Sequence, residues 1–62
     1  MKHIEVYGSE QPALVDEEDF AFVSRFGWYL CDGQAFTLIN GRAVEMGYLI
    51  LHPGIVEEPS AN

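Results

Sequence analysis

Apolar and polar residues alternate over residues 3–7, and this pattern predicts a short extended strand at the start of the chain. Residues 8–12 contain glycine, serine and proline and indicate a loop. Residues 13–15 are all apolar and predict a second short extended segment. The chain therefore begins with extended structure that is interrupted by one polar loop.

A helix is predicted to begin at Asp16. The Asp16 side chain can accept a hydrogen bond as the N-cap, and Asp19 stands where the acid of a capping box would stand. Acidic residues in a first turn also complement the positive end of the helix dipole. Phe22 and Phe26 fall on one apolar stripe, and Gly27 suits a position just after the last helical turn.

Two turn signals follow the helix, at Asp32-Gly33 and at Asn40-Gly41, and both pairs favour two-residue type I′ hairpins. They predict an antiparallel meander with three strands at residues 28–31, 34–39 and 42–51. Registering the strands on these turns pairs Leu30 with Ala35, Tyr29 with Phe36, and Thr37 with Val44. The predicted fold class is α+β: a three-stranded antiparallel sheet packed on one α-helix, with a short extra N-terminal strand as an option.

This register gives the predicted sheet two largely apolar faces. One face carries Trp28, Leu30, Ala35, Thr37, Ile39, Arg42, Val44, Met46, Tyr48 and Ile50. The other carries Tyr29, Cys31, Gln34, Phe36, Leu38, Ala43, Glu45, Gly47, Leu49 and Leu51. A single short helix covers only one face, and an antiparallel sheet with one solvated face normally alternates apolar with polar residues. We therefore expect the uncovered face to contact another molecule.

The length of 62 residues allows one domain, which we place at residues 1–52 with a flexible tail over residues 53–62. A chain of this size buries only about 60% of its unfolded surface. Cys31 is the only cysteine, so no intrachain disulfide can form. The two histidines lie far apart in the sequence and show no zinc-ligand spacing, so no metal or cofactor is predicted. Self-association or a partner is the expected source of extra stability.

The charge is strongly acidic, with ten Asp and Glu against three Lys and Arg and a net charge of −7. Proteins draw most of their affinity for nucleic acid from Lys and Arg on phosphates, so nucleic acid is an unfavourable partner. The 48% hydrophobic content nevertheless indicates a folded core. The sequence shows no signal peptide, lipidation motif or long apolar run, which predicts a cytoplasmic protein without membrane contact.

Five segments occur in an order typical of one phage protein module: residues 13–20, 28–30, 33–37, 39–41 and 46–50. Together they resemble the N-terminal module of phage HNH homing-type endonucleases, over about residues 2–51. That module is similar to the plant ethylene-response DNA-binding fold. The resemblance therefore implies three strands packed on one helix, with the sheet lying on DNA.

The chain departs from that family where the family carries its chemistry. The loop after Tyr7 lacks the family's lysines, and Gly47-Tyr48 stands in place of a His-Arg pair. The histidines and asparagine of the nuclease region do not follow the last predicted strand before Asn62. We therefore expect no nuclease activity, and these departures argue against DNA binding.

The acidic run Asp16, Glu17, Glu18 and Asp19 has two interpretations. It satisfies the dipole of a helix start, which is the ordinary role of such a run, or it mimics phosphate towards a basic protein. Six further acids extend the negative field, at positions 5, 10, 32, 45, 57 and 58. Both interpretations remain open from the sequence.

The remaining chemistry-bearing residues favour structural roles. Cys31 has no neighbouring base in the sequence and is interpreted as a passive thiol, and His52 before Pro53 as a strand-end residue with a pH switch as the minor alternative. Trp28 is interpreted as a core residue rather than a base-stacking platform. No catalytic residue is predicted, so the chain is not expected to be an enzyme.

The predicted protein interface combines apolar side chains of the uncovered face with acids: Tyr29, Phe36, Leu38, Leu49, Leu51, Asp16, Glu17, Glu18, Asp19 and Glu45. The favoured function is a small phage or prophage binding protein that inhibits or modulates a nucleic-acid-handling complex of the bacterial host cell, in the manner of anti-CRISPR proteins. Its expected partner is a host or defence-system protein with a basic surface, and a homodimer through the sheet is compatible. The alternative is a degenerate DNA-binding appendage.

Overall fold

The chain folds as an α+β protein, and the computed structural model describes residues 1–57. The strands are β1 (Lys2–Ile4), β2 (Val6–Tyr7), β3 (Ala13–Val15), β4 (Trp28–Cys31), β5 (Gln34–Ile39) and β6 (Arg42–Glu45). The helices are α1 (Glu17–Val23), α2 (Met46–Leu51) and a 3₁₀ helix, Pro53–Glu57. None of the helices described over residues 1–57 is long and apolar enough to cross a membrane.

The strands form two sheets rather than the single predicted meander. A four-stranded sheet has the order β2-β4-β5-β6, and β1 pairs with β3 in a separate two-stranded antiparallel sheet. The antiparallel meander β4-β5-β6 is present, but β2 extends it by pairing in parallel with β4. The predicted N-terminal strand is thus divided between both sheets, and the predicted segment at residues 13–15 is confirmed as β3.

The predicted register of the meander is confirmed. Leu30 pairs with Ala35, Tyr29 with Phe36, and Thr37 with Val44. Both two-residue turns have positive φ at both positions: 54° and 76° at Asp32-Gly33, and 53° and 79° at Asn40-Gly41. This conformation is the type I′ geometry, whose twist matches that of the flanking strands.

Helix α1 is shorter than predicted. Asp16 precedes it with an extended backbone, but its side chain makes no capping hydrogen bond, so the predicted capping box is absent. The helix ends at Val23 with Ser24 as C-cap, four residues before the predicted stop at Gly27. A seven-residue helix is marginal alone and depends on packing. That packing is supplied at its C-terminal end, where the Trp28 indole Nε1–H donates to the Val23 carbonyl at 2.9 Å.

The predicted long strand over residues 42–51 is wrong in its second half. Strand β6 ends at Glu45, and residues 46–51 form helix α2. The Glu45 carboxylate accepts a hydrogen bond from the Tyr48 backbone N–H at 3.1 Å and so caps the helix. Met46 and Leu49 are both buried, and a spacing of three residues places them on one helical face.

The core lies between the four-stranded sheet and the elements on one of its faces. It comprises Ile4, Val6, Val15, Val23, Trp28, Ile39, Val44, Met46 and Leu49. Trp28 is 1% exposed, which confirms its predicted core role. Phe26 packs edge-to-face against both Phe22 and Trp28, with ring centroids 5.5 and 6.2 Å apart. The end of α1, the tryptophan and the meander are therefore joined by one aromatic cluster.

The chain continues to pack after α2. Ile55 and Val56, in the 3₁₀ helix Pro53–Glu57, are partly buried against the core. The predicted domain boundary after His52 falls directly before this helix. The remainder of the predicted tail, residues 58–62, lies outside the described residues.

Candidate protein-interaction surface

One face of the four-stranded sheet turns away from the core, and we call it the open face. Strand alternation and the observed register assign to it Tyr7, Tyr29, Cys31, Gln34, Phe36, Leu38, Ala43 and Glu45. Tyr7 is 69% exposed and Leu38 is 62% exposed. Large apolar groups on a sheet face without a covering layer are unusual in a monomer and are typical of an interaction site.

Three aromatic residues of the open face form a row across the strands. Tyr7 pairs with Tyr29, Tyr29 pairs with Phe36, and Phe36 pairs with Glu45. Each pair joins neighbouring strands, so the row crosses all four strands of the sheet. We call this set the aromatic row. It ends at a carboxylate on the edge strand β6.

A shallow hollow of about 400 Å³ lies at the β6 end of the aromatic row. Its lining includes Phe36, Glu45 and Tyr48. Arg42 also contributes, but it belongs to the alternate residues of β6, whose side chains project towards the other face. The hollow therefore joins aromatic surface to a carboxylate that the Tyr48 N–H already holds in place.

The structure places the predicted interface residues on different surfaces of the molecule. Tyr29, Phe36, Leu38 and Glu45 do share the open face. The acids Asp16, Glu17, Glu18 and Asp19 stand at the start of α1 instead, and α1 packs through Val23 into the core on the other side of the sheet. The acidic run and the aromatic row thus belong to different surfaces of the molecule.

Two apolar residues of the predicted interface are also not on the open face. Leu49 is 0% exposed, so its assignment to the interface is wrong. The predicted strand alternation placed it outside, but helix α2 turns it into the core. Leu51 is exposed at the end of the same helix, away from the strand ladder that defines the open face.

Tyr7 belongs to the open face although it is absent from the predicted interface. Residues 3–7 do predict a strand, but no local turn signal indicates its partner. The pairing of β2 with β4 is parallel and joins segments about twenty residues apart. Only the alternation within the strand, which buries Val6 and exposes Tyr7, gives a sequence signal.

None of the three Lys and Arg residues belongs to the open face, but Arg42 lines the hollow at its β6 end. Lys2 is held at α1, where its Nζ lies 3.9 Å from the Glu17 carboxylate and 5.5 Å from the Phe20 ring centroid. Arg25 follows α1 in the sequence and is exposed. Among the eight residues of the open face, Glu45 is the one charged side chain.

Cys31 and His52 are the remaining residues whose side chains could take part in chemistry. Cys31 is a free, exposed thiol at the end of β4. His52 is the C-cap of α2, and its ring stacks on Tyr48 with centroids 4.4 Å apart. Over residues 1–57, no group of three or more His, Cys, Asp and Glu side chains is arranged to hold a metal ion.

The chain was compared with protein-family models, curated proteins and solved structures. None of the three comparisons finds a match, so the resemblance to the phage endonuclease module stays a prediction.

Proposed function

We propose that the chain is a non-catalytic binding protein that uses its open face to occupy a basic surface of a nucleic-acid-handling protein. By occupying that surface it inhibits or modulates the partner. In a phage or prophage setting the partner is a host or defence-system protein of the bacterial cell, as for anti-CRISPR proteins. The proposal depends chiefly on one observation, the aromatic and aliphatic side chains exposed on one sheet face of a protein with a net charge of −7.

The apolar part of the open face supports protein binding over a role in stability. Tyr29, Phe36 and Leu38 lie in register on neighbouring strands, whereas the core is formed by the opposite face. Aromatic residues are enriched at the energetically dominant centres of protein interfaces. Burying one large apolar side chain contributes about 1.5–3 kcal/mol.

The charge of the chain supports a basic partner. The net charge of −7 raises the association rate with a basic surface and opposes association with nucleic acid or with a second copy. A surface that binds nucleic acid is basic by necessity. An acidic protein that occupies such a surface competes directly with the nucleic acid, and the acids of α1 extend the negative field around the contact.

The size of the molecule is compatible with this role. A standard interface takes about 800 Å² from each partner. That area is roughly a sixth of the 4557 Å² accessible surface of the chain. An interface of this size takes about 20–30 residues from each side, so it would include the eight residues of the open face and others around them.

The proposal is tested by capture from a bacterial or phage-infected lysate with three immobilised proteins: wild type, Leu38→Glu and Leu14→Glu. Leu14 is 56% exposed on β3 of the small sheet and provides a matched control for Leu38. Circular dichroism verifies that each variant folds. We expect wild type and Leu14→Glu to retain a basic nucleic-acid-binding protein, which Leu38→Glu loses and which added DNA releases.

Three results would overturn the proposal. The first is capture that survives Leu38→Glu, because the open face would then be dispensable. The second is a gel shift of DNA by the isolated chain at low salt, which would favour the DNA-binding appendage. The third is a dimer in sedimentation that Leu38→Glu dissociates, because a second copy would then occupy the open face.

A further inference from the structure

The aromatic row has the chemistry of a stacking surface with a charged end. Directly opposed residues on adjacent strands have Cβ atoms roughly 5 Å apart. Tyr29 and Phe36 are opposed in this way on antiparallel strands, and Tyr7 pairs with Tyr29 on the parallel neighbour, so the three side chains project from one face next to Glu45. Tyr7 and Tyr29 are exposed, so a ligand can reach their rings.

Two kinds of planar group stack on exposed aromatic side chains of a sheet: nucleobases and the guanidinium groups of arginine. The charge distinguishes between them here. A nucleobase arrives with a phosphate, which the open face of a protein with a net charge of −7 repels. A guanidinium arrives with a positive charge, which the same face attracts. Arginine is therefore the group that satisfies both the rings and the carboxylate.

We infer that the open face recognises arginine side chains of the partner, with guanidinium groups stacked on Tyr7, Tyr29 and Phe36 and one of them paired with Glu45. This inference rests on the proposed function and names the chemical group that the surface selects. Lysine carries the same charge but is a compact ammonium without a planar face. The surface should therefore distinguish arginine-rich from lysine-rich segments.

The geometry at Glu45 suits an incoming guanidinium. One carboxylate oxygen accepts from the Tyr48 N–H at 3.1 Å, which fixes the orientation of the group. A carboxylate offers about four acceptor positions, so this hydrogen bond leaves capacity for a forked arginine contact.

The test compares two fluorescein-labelled peptides of equal charge, hexaarginine and hexalysine, by fluorescence anisotropy at low salt. Pure charge attraction binds both alike, whereas stacking favours arginine. We expect wild type to bind hexaarginine about threefold more tightly, because a planar guanidinium stacks on a ring as well as making a cation–π contact, whereas an ammonium makes only the second. Tyr29→Leu and Tyr7→Leu should each lower the ratio, and the double variant should bring it close to one, in proteins whose folding is verified by thermal melts.

The charged end of the row is tested separately. Glu45→Gln keeps an acceptor for the Tyr48 N–H but loses its charge, so we expect weaker binding of hexaarginine. Glu57→Gln makes the same change on an exposed residue of the 3₁₀ helix and should have little effect. Equal effects of the two variants would show that only net charge matters and would contradict recognition at Glu45.

The two proposals fail in different ways. Equal affinity of wild type for both peptides would overturn arginine recognition. The proposed function would still stand if Leu38→Glu lost the basic partner in the capture experiment. Tighter binding of oligo-dT than of hexaarginine would overturn both proposals, because the aromatic row would then be a base-stacking surface.

Discussion

At the scale of single residues, Trp28 does the most to join the parts of this small core. Its indole N–H donates to the Val23 carbonyl at 2.9 Å, and the Phe26 backbone N–H donates to the same oxygen at 3.2 Å. The ring also packs edge-to-face on Phe26. The side chain thus ties the end of α1 to the start of β4. A residue that is 1% exposed and holds a helix end cannot also serve as an exposed stacking platform.

Replacing Trp28 by Phe should lower the free energy of unfolding by about 2 kcal/mol. The loss combines one hydrogen bond, worth about 1 kcal/mol, with the volume of the missing ring. Urea unfolding followed by circular dichroism measures it as a lower midpoint. Tyr48→Phe, which removes a hydroxyl from an exposed side chain, should stay within about 0.5 kcal/mol of wild type. Equal stability of the two variants would contradict this role of Trp28.

Glu45 and Asp16 both precede a helix, but only the Glu45 side chain caps its helix with a hydrogen bond. Glu45→Ala removes a capping hydrogen bond and should cost about 1 kcal/mol. Asp16→Ala removes no such bond and should cost only about 0.3–0.5 kcal/mol through the helix dipole. Glu45→Gln, which keeps an acceptor oxygen, should recover most of the loss. Urea midpoints rank the three variants, and an Asp16→Ala cost above that of Glu45→Ala would contradict the assignment.

At the scale of elements, the two turn signals predict the meander of β4, β5 and β6 but not the pairing of β2 with β4. The turns at Asp32-Gly33 and Asn40-Gly41 leave a two-residue loop almost no conformational choice, so the register of β4, β5 and β6 followed from the sequence. The parallel pairing of β2 with β4 depends on the packing of distant segments. No short-range signal specifies such a contact, and Tyr7 was missed for that reason.

The sequence of α2 fits a helix as well as the strand predicted there. Apolar residues at 46, 49 and 50 follow the spacing of a helical face, while the alternation of β6 can be continued formally as far as residue 51. The helical face prevails in the structure because it buries Met46 and Leu49 together. Leu49, which the predicted strand assigns to the interface, therefore lies in the core.

The β5–β6 turn should be sensitive to a single methyl group. Gly41 has φ of 79°, a region in which an L-residue costs about 1–2 kcal/mol. Gly41→Ala should therefore destabilise the protein by about that amount, although no atom lies within 4 Å of the added Cβ. Gly27→Ala has equal space and no positive φ and should change stability by less than about 0.5 kcal/mol. Thermal melts compare the two, and equal losses would contradict the strained-turn account.

At the scale of the whole molecule, the sheet separates two surfaces of different character. The acidic start of α1 lies on the core side, where Glu17 approaches Lys2, and the aromatic row lies on the open face. The acids and the apolar residues belong to one predicted interface, because position along the chain does not show which side of a sheet a helix packs on. In the proposed function, the acids supply long-range attraction and the open face makes the contact.

The most direct test of this account is site-specific photocrosslinking in the lysate that contains the partner. A photoreactive phenylalanine analogue replaces Leu38 on the open face in one protein and Leu14 on the small sheet in another, two positions of similar exposure. We predict that position 38 crosslinks to a basic nucleic-acid-binding protein and that position 14 does not. Equal crosslinking at both positions, or crosslinking of position 38 only to a second copy of the chain, would contradict the proposed role of the open face.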